Sequence, residues 1–356
     1  MDAGADLLMA YRFDDLVLYA RQLLTASGMD ADKAQATAGL LVMADAMGHD
    51  THGLAQLPDY LDDIASGAMA VSGEPDILCD RPSVAVWDGR RLPGPWLTDR
   101  AVRQAAQRAR THGICAISIR RSHHIACLAT FLLAATDEGL MAIVASSDPS
   151  AAHVAPFGGT SPVFTPDPIA IGIPTPSDPI LIDISSSITT AGMTARLRRE
   201  GRKFPGAWAL EADGRPTDDP HAVTGERGGS LLPVGGVDHG HKGFGLALLV
   251  EALTQGLSGY GRADLEQGWG ASVFVQVFDP ALFAGLDAFS RQTGWIAEAC
   301  RNNPPADPAR PVRLPGAGAL AGLKTARANG LMPHDGLLDS LRPWGDRLRV
   351  APPMQV

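Results

Sequence analysis

Residues 49–53, His-Asp-Thr-His-Gly, bring two imidazoles, a carboxylate and a hydroxyl into five positions. A neutral imidazole gives or takes a proton near neutral pH, which suits general acid/base work. His52 is followed by Gly53, whose backbone approaches a ligand without a side chain in the way. The flanking residues say what aims the ring. Residues 30–47 are apolar at helical spacing behind a capping Asp30. Helical spacing resumes over 54–65 with Leu54, Leu57, Leu61 and Ile64 on one face. The histidines therefore stand at a joint between two buried helices. His123, His124, His239 and His241 raise the question of a metal, which needs several such side chains to converge with carboxylates or thiolates. No HExxH and no clustered Asp/His motif occurs, so no metal is expected. Surface or hydrogen-bonded core positions account for most of the histidines; they fit His52 poorly.

Two other positions bear on chemistry. Asp183 closes the apolar run PILIDIS, and a carboxylate buried there requires a partner. A histidine partner would be oriented and made more basic; the alternative is an N-cap for the following SSSITTAG. Lys242, in GHKGFG at the entry to a helix over 243–258, is an anion position or else an exposed turn lysine. GHKGFG lacks Walker spacing. Gly316, Gly318 and Ala321 spell GxGxxA, but Pro315 precedes them and no clear strand feeds them. The remainder of the chain is too short for a mononucleotide-binding half. A nicotinamide site in this chain would not be a Rossmann site.

The elements that must position these groups follow from periodicity. Residues 14–65 read as helical; RRLPGPW precedes a helix over 98–111. Strands are expected at 114–119, LMAIVAS, PIAIGI, PILIDIS and 272–278. Further helices fall at 125–138, 188–200, 243–258, 281–300 and 317–329. Strands and helices do not alternate regularly, which argues against a doubly wound sheet. The expectation is a mixed α/β chain, with a sheet domain over 76–280 and a helical domain built from both chain ends, 1–75 and 281–356.

The chain has 356 residues, 45% of them hydrophobic, and a formal net charge of −9 without a long basic run. That argues against a partner held by phosphate neutralisation, such as a nucleic acid, while leaving room for a small anion. The N-terminus lacks the basic and apolar regions of a signal peptide. No run approaches the roughly 20 apolar residues that span a bilayer; Glu251 interrupts the closest, LALLVEALTQGL. Cys79, Cys115, Cys127 and Cys300 show no CxxC spacing and read as free thiols in a reducing cytoplasm.

The sequence resembles the malate/L-lactate dehydrogenase family of the non-Rossmann type, over nearly the whole chain. DTHGLAQLPDYL, SHHIAC, APFGG, PDPIAIGIPTP, LIDISSS, FPGAWALEADGRPTDDP, KGFGLALLVEAL and RLPG follow that family's motifs in its order. The resemblance implies a non-Rossmann NAD- or NADP-binding fold, a homodimer, and hydride transfer at C2 of a small 2-oxo or 2-hydroxy acid. One branch reduces a cyclic ketimine acid. By position it implies that His52 donates the proton, that Asp183 assists, and that His124 lies in the pocket with a proton role in some members. Thr51 and Gln56 fall on substrate positions, with Gln56 where the family has an arginine for the substrate carboxylate. Ser146, Ile184, Ser185, His241, Lys242 and Gly316 fall on cofactor positions. His123 stands for an asparagine, and Pro166 and Asp167 stand for the threonine and asparagine of a GTNP element. Readings of other classes are a metal-dependent hydrolase and a non-catalytic NAD(P)H-binding protein.

Overall fold

Alternation in ASVFVQVF sends Val273, Val275 and Val277 to one face of a strand and Phe274 to the other, and all four are buried. That strand needs cover on both faces. The computed structural model describes residues 10–265 and 268–355; the start of the N-terminal segment read above as lacking a signal peptide lies outside them. The helices are α1 (Phe13–Ala26), α2 (Ala31–Ala46), α3 (Leu57–Ser66), α4 (Gly94–His112), α5 (Ala129–Thr136), α6 (Ala191–Arg199), α7 (Gly236–His239), α8 (His241–Glu251), α9 (Leu286–Arg301), α10 (Ala317–Asn329) and α11 (Leu337–Leu348). The strands are β1 (Asp76–Arg81), β2 (Val84–Asp88), β3 (Ile114–Ser122), β4 (Met141–Ser147), β5 (Pro168–Ile173), β6 (Ile180–Ser185), β7 (Ala209–Leu210), β8 (Pro216–Thr217), β9 (Ser230–Leu231) and β10 (Ala271–Phe278).

The main sheet runs β1-β2-β3-β10-β4-β5-β6. Only β2 and β3 pair in parallel; every other neighbour is antiparallel. The parallel pair brackets α4 in a βαβ unit, and the GxGxxA residues at 316–321 lie outside it. Helices α4 and α5 cover one face, and the core there continues into Leu40, Ala44 and Met47 of α2 and Leu323 of α10. The other face packs Ala145, Ile169 and Phe274 against Val250 of α8. A second core gathers α1, α2, α3 and α11 around Leu16, Leu41, Tyr60, Leu61 and Leu341. The small sheet β8-β7-β9 packs with Leu197 of α6.

Several sequence expectations change in detail. Strands β1 and β2 went unread because β1 is exposed at almost every position and shows no alternation. Helix α11 went unread because Pro343 and Gly345 interrupt its pattern. Helix α4 starts earlier than expected, since Pro95 fits its first turn. Asp30 stands at the N-cap of α2, yet its side chain makes no capping bond. It accepts instead from the buried Lys33 ammonium at 3.0 Å, which also lies over the Trp96 ring. The helix expected over 125–138 begins at Ala129, because residues 124–128 are spent on the cleft described below. The helix expected to run unbroken to 258 passes through a π turn at Ala252–Gly256. That turn brings the Thr254 hydroxyl to the Ser147 hydroxyl at 2.8 Å and the Gln255 amide to it at 3.0 Å.

Gly94, in the Pro/Gly-rich entry to α4, is required by close approach: a Cβ there would overlap the carbonyls of His123 and His124. Gly39, inside α2, has open space around it. Gly94→Ala should therefore cost about 1–3 kcal/mol through backbone displacement. Gly39→Ala should gain roughly 0.5–1 kcal/mol from helix propensity. Urea midpoints of the two variants check this; equal effects of the same sign would refute the close packing at Gly94.

Candidate active site

The joint between α2 and α3 is a short helical turn, Asp50–His52, followed by Gly53. It is fixed from the last turn of α2, where Asp45 Oδ2 accepts the Leu54 N–H at 2.9 Å. Any Cβ at position 53 would overlap the Asp45 carboxyl, so glycine alone permits the contact. The other carboxyl oxygen of Asp45 is buried without a partner. Burial lifts the Asp45 pKa to about 7, with Asp50 adding to the rise and the Leu54 N–H opposing it.

Thr51 Oγ1 and His52 Nδ1 lie 2.9 Å apart, which orients the ring and leaves Nε2 without a hydrogen bond to a described residue. Burial, reinforced by His49, lowers His52 to about 4, so its imidazole is neutral at neutral pH. The His124 ring stacks beside it at 6.0 Å between centroids and rests on Trp269 at 4.4 Å. The Tyr60 hydroxyl reaches His124 Nδ1 at 3.0 Å and the His124 carbonyl at 3.1 Å. Burial, with His52 and His123 adding, holds His124 well below the usual histidine range. His123 is fully buried and turned the other way: its Nε2 meets Asp63 at 3.0 Å.

Asp183, on β6, accepts the Ala129 N–H at 2.9 Å, so it caps the start of α5 from across the cleft. The segment that follows it is capped by Thr190, which accepts from the Met193 N–H at 3.1 Å. Burial raises the Asp183 pKa, while the nearby His49 opposes the rise. No hydrogen bond joins Asp183 to His52; the imidazole beside it is that of His49. His49, Cys127 and Asp183, from three separate segments, place their ligating atoms within 4.8 Å of one another.

These groups open on one cleft of about 640 Å³, lined by His52, His124, Asp183, Thr51, Gln56, Ser146, Ile184 and Ser185. The Ser146 hydroxyl makes no hydrogen bond with a described residue and is available to a ligand. His241 and Lys242 lie in the exposed first turn of α8, and Gly316 precedes α10; none of the three lines the cleft. The start of α8 docks behind the strand that carries Asp183, since a Cβ on Gly243 would overlap the Ser186 carbonyl. Lys242 forms no ion pair with a described residue. Arg121 is bound by the buried Asp88 at 2.6 Å and does not line the cleft. Asp167 is buried and held by Thr165 at 2.5 Å. Burial and the adjacent Glu251 push its pKa up, toward the protonated form.

Sequence reasoning missed Asp45, Tyr60, Trp269 and Cys127. Asp45 alone had a local signal, a carboxylate on an otherwise apolar helix face just before the joint.

Residues 11–342 match the family model described as malate/L-lactate dehydrogenase. The malate dehydrogenase of Pyrococcus horikoshii is 32% identical over 298 residues, 82% of each chain. The Δ1-pyrroline-2-carboxylate reductase of Ancylobacter novellus is 30% identical over 337 residues, 92% of this chain and 95% of the relative. The crystal structure of malate dehydrogenase from Entamoeba histolytica superposes with a TM-score of 0.90 over 97% of this chain and 99% of that one, at 23% identity.

The Asp45 environment gives a pH signature. Its folded pKa lies above the ordinary 3.8, so the stability it allows is complete below about pH 4 and declines as pH rises through about 7. Asp45→Asn keeps an acceptor for Leu54 and removes the charge. Its stability gain over the parent should grow between pH 4 and 7 and level off above. Parallel stability curves for the two proteins, from denaturant midpoints across that range, would contradict the burial argument.

Proposed function

Because the chain belongs to the malate/L-lactate dehydrogenase family, we propose that it transfers hydride at C2 of a small 2-oxo or 2-hydroxy acid with NAD or NADP. His52 is the proton donor in reduction and the base in oxidation. The observation that carries this is the His52 ring itself: Nδ1 is held by Thr51 and Nε2 is left for a ligand in a cleft shared with His124. When bound, the nicotinamide supplies or accepts the hydride. The neutral imidazole is ready to take the hydroxyl proton of a 2-hydroxy acid. For reduction, an anionic ligand beside it raises its affinity for a proton, and that proton neutralises the developing alkoxide. Asp183 acts through His49 and the start of α5 in holding the cleft wall.

The cleft suits a cofactor in its donor set. Ser146 offers a hydroxyl without a described partner, and Ile184 and Ser185 offer a strand edge; outside the cleft, Lys242, in no ion pair with a described residue, offers a cation for a phosphate. Together with His241 and the Gly316 turn, Lys242 would hold the outer part of the dinucleotide.

The substrate carboxylate needs a holder in place of the missing arginine. Ala191 and Gly192, at the N-terminus of α6, line the cleft, and neither N–H is capped. Two free N–H groups and the helix dipole suit a carboxylate. The Gln56 amide donates to the Thr51 carbonyl at 2.7 Å and keeps its oxygen free, which suits a neutral substrate group. Trp269, Ile125 and Ala126 give the cleft an apolar wall. That wall favours a second reading, reduction of a cyclic ketimine acid, the chemistry named for the Ancylobacter relative.

Other parts of the reading rest on the surface. Leu248, Leu249 and Leu257 on and after α8, and Trp295 and Ile296 on α9, are apolar and about half exposed or more, which supports a homodimer. The four free thiols support a cytoplasmic location. Among the described residues, no helix is long and apolar enough to cross a membrane. Tyr11 bridges to Leu331 and Gln355, which supports a helical domain formed by 1–75 and 281–356 beside a sheet domain over 76–280.

Absorbance of NADH and NADPH with a panel of 2-oxo acids and cyclic imine acids tests the reaction; consumption with none of them refutes it. His52→Ala should lower kcat by about 10²- to 10⁴-fold and leave cofactor affinity nearly unchanged. A near-parental kcat in that variant, with the loss appearing in His124→Ala, would move the proton role to His124. Gln56→Arg should raise kcat/KM for pyruvate and oxaloacetate by roughly 10- to 100-fold, since a charge-assisted pair replaces a neutral contact. Strong parental activity on pyruvate with no gain in the variant would contradict the role given to Gln56.

A further inference from the structure

We propose that His49, Cys127 and Asp183 form a site for a thiophilic divalent cation of the Zn²⁺ class, and that its occupation shuts the cleft. The three side chains come from the joint before α3, the segment after β3, and β6. Their ligating atoms already lie within 4.8 Å of one another. Cys127 Sγ stands 3.8 Å from Asp183 Oδ2. Around a tetrahedral zinc, sulfur and oxygen ligands lie about 3.5 Å apart, so this pair asks for only a few tenths of an ångström, while the His49 imidazole would swing in by about an ångström. Asp183 is already oriented by the Ala129 N–H at 2.9 Å, as outer contacts orient metal ligands.

The donor set selects the ion. One sulfur, one imidazole nitrogen and one carboxylate oxygen favour zinc and its neighbours over magnesium or calcium, which take oxygen. On binding, the S–H bond of Cys127 breaks, a sulfur–metal bond forms, and the proton passes to solvent. Thiolate and carboxylate then balance the two positive charges. Three protein ligands leave a fourth position, and all three line the cleft, so that position faces the substrate space. His49 and His52 share one short segment, so the ion would sit beside the proposed acid/base. The result is inhibition competitive with the substrate. Occupancy does not depend on the proposed reaction; only the effect on turnover rests on it.

Co²⁺ titration of the whole protein tests the site. One equivalent should give a thiolate-to-cobalt charge-transfer band in the near ultraviolet, displaced by Zn²⁺. The band should vanish in Cys127→Ser, weaken at least about tenfold in apparent affinity in His49→Ala, and persist in Cys300→Ser. Thermal melts matching the parent establish that each variant is folded. No band in the parent, or a band that survives in Cys127→Ser, overturns the site. Zn²⁺ should raise the apparent KM of the 2-oxo acid without changing kcat, and cobalt binding without that inhibition overturns the effect on the cleft. If no substrate of the panel turns over, the cobalt titration still decides the site.

Discussion

The Asp45 carboxyl, pressed against Gly53 and bonded to the Leu54 N–H, is the contact on which the site depends. It ties the end of α2 to the start of α3 and leaves His52 on the short turn between them. The same α3 carries Tyr60, whose hydroxyl holds His124 by ring nitrogen and carbonyl. Both imidazoles are thus set by one helix and its entry. Trp269 backs His124 from the segment leading into the central strand β10, so the sheet and the helices meet at the ring stack.

Desolvation gives these groups their chemistry. Burial is the largest influence on His52, His124, Asp45, Asp167 and Asp183, lowering the histidines and raising the acids. His52 is therefore neutral until a ligand brings charge, and the buried acids around it are drawn toward their protonated forms, a pattern typical of sites that move protons. Asp167, where an amide is expected, is likewise drawn toward its protonated form by burial and accepts from the Thr165 hydroxyl.

The sequence made the joint, the central strands and the absence of a Rossmann core readable, because each is written in local periodicity. His52, His124, Thr51, Gln56, Ser146 and Asp183, each singled out from the sequence, line one cleft, while His241, Lys242 and Gly316 lie outside it. What escaped was written in contacts between distant segments. The exposed β1 has no alternation, and α11 carries a proline and a glycine that hide its pattern. The surroundings of Asp183 were not legible for the same reason: its N–H donor is Ala129 and its neighbouring imidazole is His49, both fixed only by the fold. The convergence of His49, Cys127 and Asp183 has no sequence spacing at all.

The central claim is that the His52 ring moves the proton that accompanies hydride transfer. Chemical rescue tests it most directly. Added imidazole should restore turnover to folded His52→Ala in a saturable manner, with little effect on His124→Ala. Rescue of His124→Ala but not of His52→Ala, with both variants binding the cofactor, would contradict the account.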